Sequence, residues 1–477
     1  MGARTGSEYL EGLRDEREVW LEGDRVVDVT AHPKLAGAAG TLASLFDLQH
    51  DLREICLMDD GEVGPIAVSH MIPRSYADLE RRHVALEATA SATVGLMGRT
   101  PDYLNVTFAG FAGRAAEWRL AGNEDGAERL VAFQRELASR DLALTHTIIH
   151  PTVDKSMGDA PRPENDVVLR KVGETAKGIV VRGAKVLATL APFSDEIAVY
   201  PAHPIPEGSE HFALSFSVPM ATPGLRTLCR DSVSSVPGSF DHPLSSRFDE
   251  QDAFIIFEDV EVPRDRVFID GNLAVYNNVM RAGWFPNVAQ QTMIRAQVKL
   301  EFAYGLACRM AEAINDTSAG TNEMLGEIWS YGEFTRAAIR TAELDARDYG
   351  DGVWFPASGP MNALRAQLPR WFPRVNEIIR LIGSHNLLVS PPEAEFADGD
   401  LRPLIDHYLR GAKEMPADRR AAIFRLGWDF TGSALASRNE QYERFYLASA
   451  ARCYQIAHAS APRDRAFALV DQFLPDR

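Results

Sequence analysis

Four short runs hold residue types at spacings that can do chemistry. In Arg99-Thr100-Pro101-Asp102-Tyr103 the proline suits the first turn of a helix, and Arg99 and Tyr103, four apart, share a face wherever the run is helical. A guanidinium presents a fixed fork of donors to a carboxylate, a phosphate or a ring anion, and a phenol hydroxyl can donate to a substrate oxygen. In Thr145-His146-Thr147-Ile148-Ile149-His150-Pro151 two imidazoles stand four apart with no Cys or carboxylate close in sequence. That is a poor metal set, and one histidine working as acid, base or hydrogen-bond donor near neutral pH suits it better. Gly183-Ala184-Lys185-Val186-Leu187-Ala188-Thr189, followed by Pro192-Phe193-Ser194-Asp195-Glu196, combines small residues that admit a flat ring with the hydroxyls of Thr189 and Ser194. Phe430-Thr431-Gly432-Ser433, with Arg438, Tyr442 and Tyr446 beyond it, offers a turn where another chain or a cofactor can approach closely.

Each run also has a purely structural reading. Arg99 can pair with Asp102 on the surface while Tyr103 packs on a core. The histidines can be satisfied loop residues, the third run a hairpin with a polar loop, and the fourth a helix–helix contact. Dinucleotide-binding GxGxxG, Walker A, HExxH and EF-hand signatures are all missing, so any cofactor sits in a site built without them, and no metal is expected.

These runs need elements to position them. From about 8 to 145 the chain has helical character, as in Tyr76–Thr93 and Leu130–Leu137, with no strong strand. From 146 to 275 it turns to strands: Ile179–Val181, Lys185–Ala188, the alternating Phe212–Val218, Phe254–Phe257 and Val260–Val262, punctuated by prolines. From 276 onward helices return, with Ile294, Val298, Phe302, Leu306 and Met310 along one face. Ile328, Phe334, Ala338 and Leu344 mark a second helix, and Ile378–Ile382 and Ile423–Leu435 two more. The expected architecture is mostly α with a central β domain: an N-terminal helical domain (1–145), a middle antiparallel β-barrel or sandwich (146–275) and a C-terminal four-helix bundle (276–477).

The 477 residues carry 50 Lys and Arg against 67 Asp and Glu, a net charge of −17. That balance argues against nucleic acid or an anionic membrane surface as the main partner. The four cysteines, Cys56, Cys229, Cys308 and Cys453, are scattered without metal spacing and suit free thiols in a reducing compartment. No apolar run is long enough to span a membrane, and the charged N-terminus lacks a signal core, so a cytoplasmic location is expected.

Taken in order, RTPDYLNV (99–106), LTHTIIHP (144–151), VVRGAKVLAT (180–189), PFSDE (192–196), TPGLRTLCRDS (222–232), FDEQDAFIIFEDVEVPRDRVF (248–268), EIIRLIGSHNLL (377–388) and FTGSALASRNEQYERFY (430–446) cover nearly the whole chain. Together they resemble the oxygenase component of two-component flavin monooxygenases, the 4-hydroxyphenylacetate 3-hydroxylase family. The resemblance implies an acyl-CoA dehydrogenase-like fold, a homotetramer, and FAD delivered in reduced form by a separate NAD(P)H:flavin reductase. It implies O2 as co-substrate, a flavin C4a-hydroperoxide, and ortho-hydroxylation of a para-substituted phenol to a catechol. Arg99, Tyr103 and His146 match the positions that meet the substrate and the reacting flavin, and the Pro-rich segment 201–208 is the expected lid. Flavin contacts are implied for His146, His150, Thr152, Thr189, Ser194, Gly383, Ser384, Thr431, Gly432 and Ser433. The family has Asn-Pro-Gln where this chain has His150-Pro151-Thr152, which puts the flavin-edge contact in question and adds a titrating group.

Alternatives within the fold are oxidation of an indole, of a nitrogen centre or of a carrier-tethered tyrosine derivative, and an acyl-CoA dehydrogenase with a Glu base. 4-Hydroxybutyryl-CoA dehydratase, which needs cluster-binding cysteines, is disfavoured because Arg99 and Tyr103 occupy their places. A non-catalytic binding protein is disfavoured by the separate retention of Arg, Tyr and His.

Overall fold

A computed structural model describes residues 2–154, 156, 166–234 and 240–474. Helix starts follow local chemistry. The Ser75 hydroxyl accepts the amide of Asp78 and opens Tyr76–Ala92, and Pro101 fills the first turn of Pro101–Gly113. With Gly6–Gly12, Ala36–Asp51 and Glu124–Arg140 these make the N-terminal helical layer. Pro101–Gly113 is buried from Asp102 to Gly113, so its mixture of Gly, Ala and aromatic side chains packs on all sides.

Most of the strands form two sheets, and two further pairs, Leu57–Asp59 with Pro65–Ala67 and Arg347–Asp348 with Trp354–Phe355, stand apart. The larger has six strands in the order Asp24–Val26, Glu18–Leu21, Leu225–Cys229, Asp252–Pro263, Gly178–Thr189 and Arg170–Glu174. The smaller has Val267–Asp270, Leu214–Pro219, Glu196–Val199 and Leu144–Thr147. Their inner faces meet on Ile179, Val181, Ile197, Phe216, Ile255 and Phe257. Among the described residues neither sheet closes on itself, so of the barrel or sandwich expected the sandwich is the form seen. The pairing is also mixed. Glu18–Leu21 runs parallel to Leu225–Cys229, and Leu144–Thr147 parallel to Glu196–Val199. Four short strands come from the segment expected to be helical: Leu57–Asp59 pairs with Pro65–Ala67, and Glu18–Leu21 and Asp24–Val26 extend the larger sheet at its edge. A single antiparallel bridge, Ile149 to Val186, ties the end of one sheet to the other.

Leu214–Pro219 is buried on both faces up to Val218, although its alternation suggests one wet face. Ser217 donates to the buried Glu196 carboxylate, which Arg266 approaches on its way to Glu136 of Glu124–Arg140. The polar face is therefore covered by a helix.

The C-terminal part is a bundle of Trp284–Ala313, Ala319–Leu344, Ser358–Gly383 and a fourth limb broken into Ala417–Thr431 and Ala434–Phe445. The break falls at Gly432-Ser433, where Ser433 caps the new helix through the amide of Ala436. Trp284–Ala313 also packs against Tyr76–Ala92 and Pro101–Gly113, so one helix serves both cores. Ile294, Val298, Leu306, Met310 and Ile328 are buried as their spacing predicts, whereas Phe334 and Leu344 are exposed. The four cysteines are free thiols. Among the described residues no helix is long and apolar enough to cross a membrane.

Candidate active site

Arg99 lies in the turn just before Pro101–Gly113, not within the helix, yet it still reaches Tyr103. Its guanidinium sits 4.0 Å from the Tyr103 ring centroid and 4.4 Å from that of Tyr446. The alternative surface pair with Asp102 does not form, because Asp102 is buried on the other side of the turn, against a small cavity lined by Gln49, Ser69 and Asn105. Tyr103 continues into a stack. His146 lies 5.5 Å from it at 23°, and Tyr200 lies 5.3 Å from His146 at 28°. His146 comes from the strand Leu144–Thr147 and Tyr200 from the residue after the neighbouring strand, Glu196–Val199. The parallel pairing of those two strands is what places the rings side by side.

Burial, joined by the nearby Arg99 cation, holds the His146 imidazole well below its ordinary range, so it is neutral at pH 7. Burial pushes the Tyr103 phenol up to about 12 against the pull of Arg99, so it keeps its proton and donates. Burial works against the charge on Arg99, but the surrounding phenols, Tyr103 first, hold it above its usual value. Arg99 Nη1 and the Tyr442 hydroxyl are buried without a regular hydrogen bond, and the Tyr200 hydroxyl has only that of Tyr103 within reach. Leaving such groups unpaired costs about 1–3 kcal/mol each. Such a cluster can receive a polar ligand.

Around the corner made by the Ile149–Val186 bridge, Lys185 donates to the Ile148 carbonyl at 3.2 Å, and its Nζ lies 3.5 Å from His150 Nε2. Burial pulls Lys185 down to about 7; burial, with Lys185 and His203 nearby, pulls His150 down to about 3. His150 Nδ1 is buried and unpaired, while Thr152 is exposed on the loop beyond.

The remaining expected contacts fall in three other places. Thr189 is linked to Arg99 through side chains: its hydroxyl donates to Asp252 at 2.8 Å, Arg438 bridges Asp252 and Glu250, and Glu250 accepts the Arg99 amide. Ser194 turns the other way. Its hydroxyl donates to the Leu190 carbonyl, and its own carbonyl accepts from Arg17 in the N-terminal segment. Gly383 and Ser384 end the helix Ser358–Gly383, and Arg380 from its last turn donates to the Thr431 carbonyl. That brings Thr431, Gly432 and Ser433 near Gly383, in a cluster apart from His146. There the Thr431 hydroxyl donates to Gly427 and that of Ser433 to Asp429.

Tyr200, Glu250 and the buried pair Arg295–Glu443 are absent from the sequence-based set. Tyr200 had a faint signal, an aromatic hydroxyl at the end of a strand directly before a Pro-rich loop. Glu250 had none, because its partners come from 151 and 188 positions away.

The N-terminal profile of the 4-hydroxyphenylacetate 3-hydroxylase family matches residues 5–269, and its C-terminal profile matches residues 276–475. This chain belongs to the 4-hydroxyphenylacetate 3-hydroxylase family. It is 38% identical to the oxygenase component of 4-hydroxyphenylacetate 3-monooxygenase from Thermus thermophilus, over 96% of this chain and 94% of that one. It is 34% identical to a Streptomyces globisporus monooxygenase acting on a carrier-bound 3-amino-3-(3-chloro-4-hydroxyphenyl)propanoyl group, over 93% and 84%. A crystal structure of the HpaB oxygenase component complexed with FAD superposes with a TM-score of 0.94 at 37% identity, covering 99% of this chain and 98% of that one. An archaeal 4-hydroxybutyryl-CoA dehydratase shares the fold with a TM-score of 0.89 at 19% identity. The acyl-CoA dehydrogenase-like architecture expected for this family is therefore present.

Proposed function

We propose that this protein is the oxygenase component of a two-component flavin monooxygenase that ortho-hydroxylates a para-substituted phenol to a catechol. The observation that carries this reading is the buried Arg99–Tyr103–His146–Tyr200 constellation with its unpaired polar atoms. These atoms suit a ligand with several hydrogen-bonding edges, as both a phenol and a flavin are. Reduced FAD, once bound, supplies the two electrons with which O2 gives one oxygen atom to the ring and the other to water.

The protein's share follows from the protonation states. Neutral His146 accepts a hydrogen bond from the substrate hydroxyl and draws its proton away from the ring. Tyr103, still protonated, donates to the same oxygen. Arg99 opposes the negative charge that grows there, with little water to screen it. The flat faces of Tyr103, His146 and Tyr200 fix the plane of the ring. Water must be kept out, or the oxidant is wasted as peroxide. The segment 201–208 is the lid, fastened at Ile205, whose amide and carbonyl both bond to the Asn277 side chain.

In this reading His150, Thr152 and Thr189 line the flavin ring. Gly383, Ser384, Thr431, Gly432 and Ser433 hold its ribose, pyrophosphate or adenine end, partly across subunits. Ser194 acts by shaping the loop. The flavin comes from a separate reductase, and the chain works as a cytoplasmic homotetramer. Exposed Trp329, Phe334, Leu344, Leu381, Leu388 and Trp428 on the bundle support assembly, because such apolar faces call for a second copy. A carrier-tethered phenol is the second reading, favoured by the likeness to the Streptomyces globisporus enzyme.

An anaerobic experiment tests the class of reaction. Reduced FAD should bind, and admitting O2 with a phenol such as 4-hydroxyphenylacetate should give a catechol. Bleaching of bound oxidised FAD by an acyl-CoA would instead identify a dehydrogenase.

A further inference from the structure

Glu250 is fully buried in an irregular stretch between the sandwich and the bundle, and it touches neither His146 nor Tyr103. One carboxylate oxygen accepts the backbone amide of Arg99 at 2.6 Å. The other accepts Arg438 Nη1 at 2.8 Å. Arg438 in turn grips Asp252 with two parallel bonds, at 2.8 and 2.7 Å, and lies over the Tyr442 ring. Asp252 also takes the Thr189 hydroxyl at 2.8 Å and Arg230 at 3.2 Å. Arg230 returns to the Glu250 carbonyl at 3.1 Å. A continuous set of charged hydrogen bonds therefore runs from Thr189 to the backbone of Arg99.

We infer that Glu250 is a positioning residue that, through Arg438 and Asp252, sets the guanidinium of Arg99 relative to the Thr189 side of the site. The inference rests on the reading of Arg99 as the cation that meets the phenol oxygen. The geometry favours a carboxylate for this role. Arg99 precedes its helix, so no intrahelical bond fixes its backbone, and its guanidinium has no salt bridge of its own among the described residues. A carboxylate can accept from the Arg99 amide and from Arg438 at once. A Gln cannot, because its NH2 would face one of two donors. Displacement of Arg99 by a fraction of an ångström weakens its contact with an oxygen that must be held in one place.

The test uses 4-nitrophenol as a reporter, since its phenolate is coloured and its ionisation on the enzyme can be read without turnover. The wild-type enzyme should lower the pKa of bound 4-nitrophenol. Glu250→Gln should return that pKa toward its value in free solution and cut the ratio of catechol to peroxide by about tenfold, with reduced-FAD affinity little changed. Arg438→Lys keeps the charge but loses the fork, so it should move both readouts the same way and serves should Glu250→Gln fold poorly. Glu250→Asp should restore part of the reporter shift. A variant that loses thermal stability while the reporter pKa and product ratio stay at wild-type values would overturn the positioning role and leave a merely structural latch. A wild-type enzyme that leaves 4-nitrophenol unperturbed would instead overturn the phenol-binding reading of Arg99, and this inference with it.

Discussion

The grouping of Arg99, Tyr103 and His146 was anticipated through the family resemblance of their runs, whose compositions alone left a structural reading open, and the chain folds those runs onto one another. Their protonation states were not legible. A histidine read from sequence is a group that titrates near neutrality, yet this one is buried beside a cation and stays neutral. In the proposed reaction that makes it a hydrogen-bond acceptor toward the phenol. His146→Ala should therefore leave oxygen consumption running while catechol formation falls by two orders of magnitude or so, seen as peroxide release. Unchanged catechol yield would contradict the role. Lys185 gives a second residue-scale expectation. Burial lowers its pKa in the folded chain to about 7, below the ordinary lysine value, and its Nζ lies 3.5 Å from His150 Nε2. The folded state therefore binds fewer protons than the unfolded one between pH 7 and 10.5. The resulting cost is full below pH 7 and is relieved as pH rises toward 10.5. Lys185→Met should stabilise the flavin-free protein by roughly 2–4 kcal/mol at pH 7, and the gain should shrink at pH 10 in denaturant melts.

At the scale of elements, the helices of the bundle and the strands of the middle region are plain in the periodicity. Two things were not. The strands Glu18–Leu21 and Asp24–Val26 are short and lie in a helical context, and only their pairing with Leu225–Cys229 shows that they extend the larger sheet. The sandwich in place of a barrel follows from which edges find partners, and that depends on contacts far apart in sequence. Likewise the alternation in Leu214–Pro219 suggested a wet face, but Ser217 and Glu196 are covered by Glu124–Arg140 through Arg266. The proposed lid is a Pro-rich segment plain in the sequence, but its fastening is not, because Asn277 lies 72 positions away. Asn277→Ala removes two hydrogen bonds, at 2.8 and 2.9 Å, from Ile205. Each bond is worth about 1 kcal/mol, so the lid should open more often and the share of reducing equivalents lost as peroxide should rise several-fold in a coupled assay.

Across the whole molecule, buried ion pairs join the sandwich to the bundle and two limbs of the bundle to each other, and Arg295 also donates to the Gly95 carbonyl in the turn before Arg99. Arg438 holds Asp252 and Glu250, and Arg295 with Lys299 holds Glu443. Burial alone would raise Asp252 and Glu443, but Arg438 and Arg230 around the first, and Arg295 and Lys299 around the second, hold each down to about 2. Both folded values lie below the unfolded ones, so their contribution to stability is present above the ordinary carboxylate range and is lost as pH falls from about 4.5 to 2. Scanning calorimetry should show the melting temperature dropping steeply across that window, and Glu443→Gln, which leaves Arg295 and Lys299 uncompensated, should cost about 3–5 kcal/mol at neutral pH. These pairs tie the site to both halves of the chain, so the reaction is a property of the whole fold. The most direct test of that reaction is a single turnover with chemically reduced FAD, 18O2 and 4-hydroxyphenylacetate, followed by mass analysis. The account predicts a catechol carrying one 18O on the carbon ortho to the original hydroxyl. Complete return of the oxygen as peroxide, with no labelled phenol product from this or any related para-substituted phenol, would contradict it.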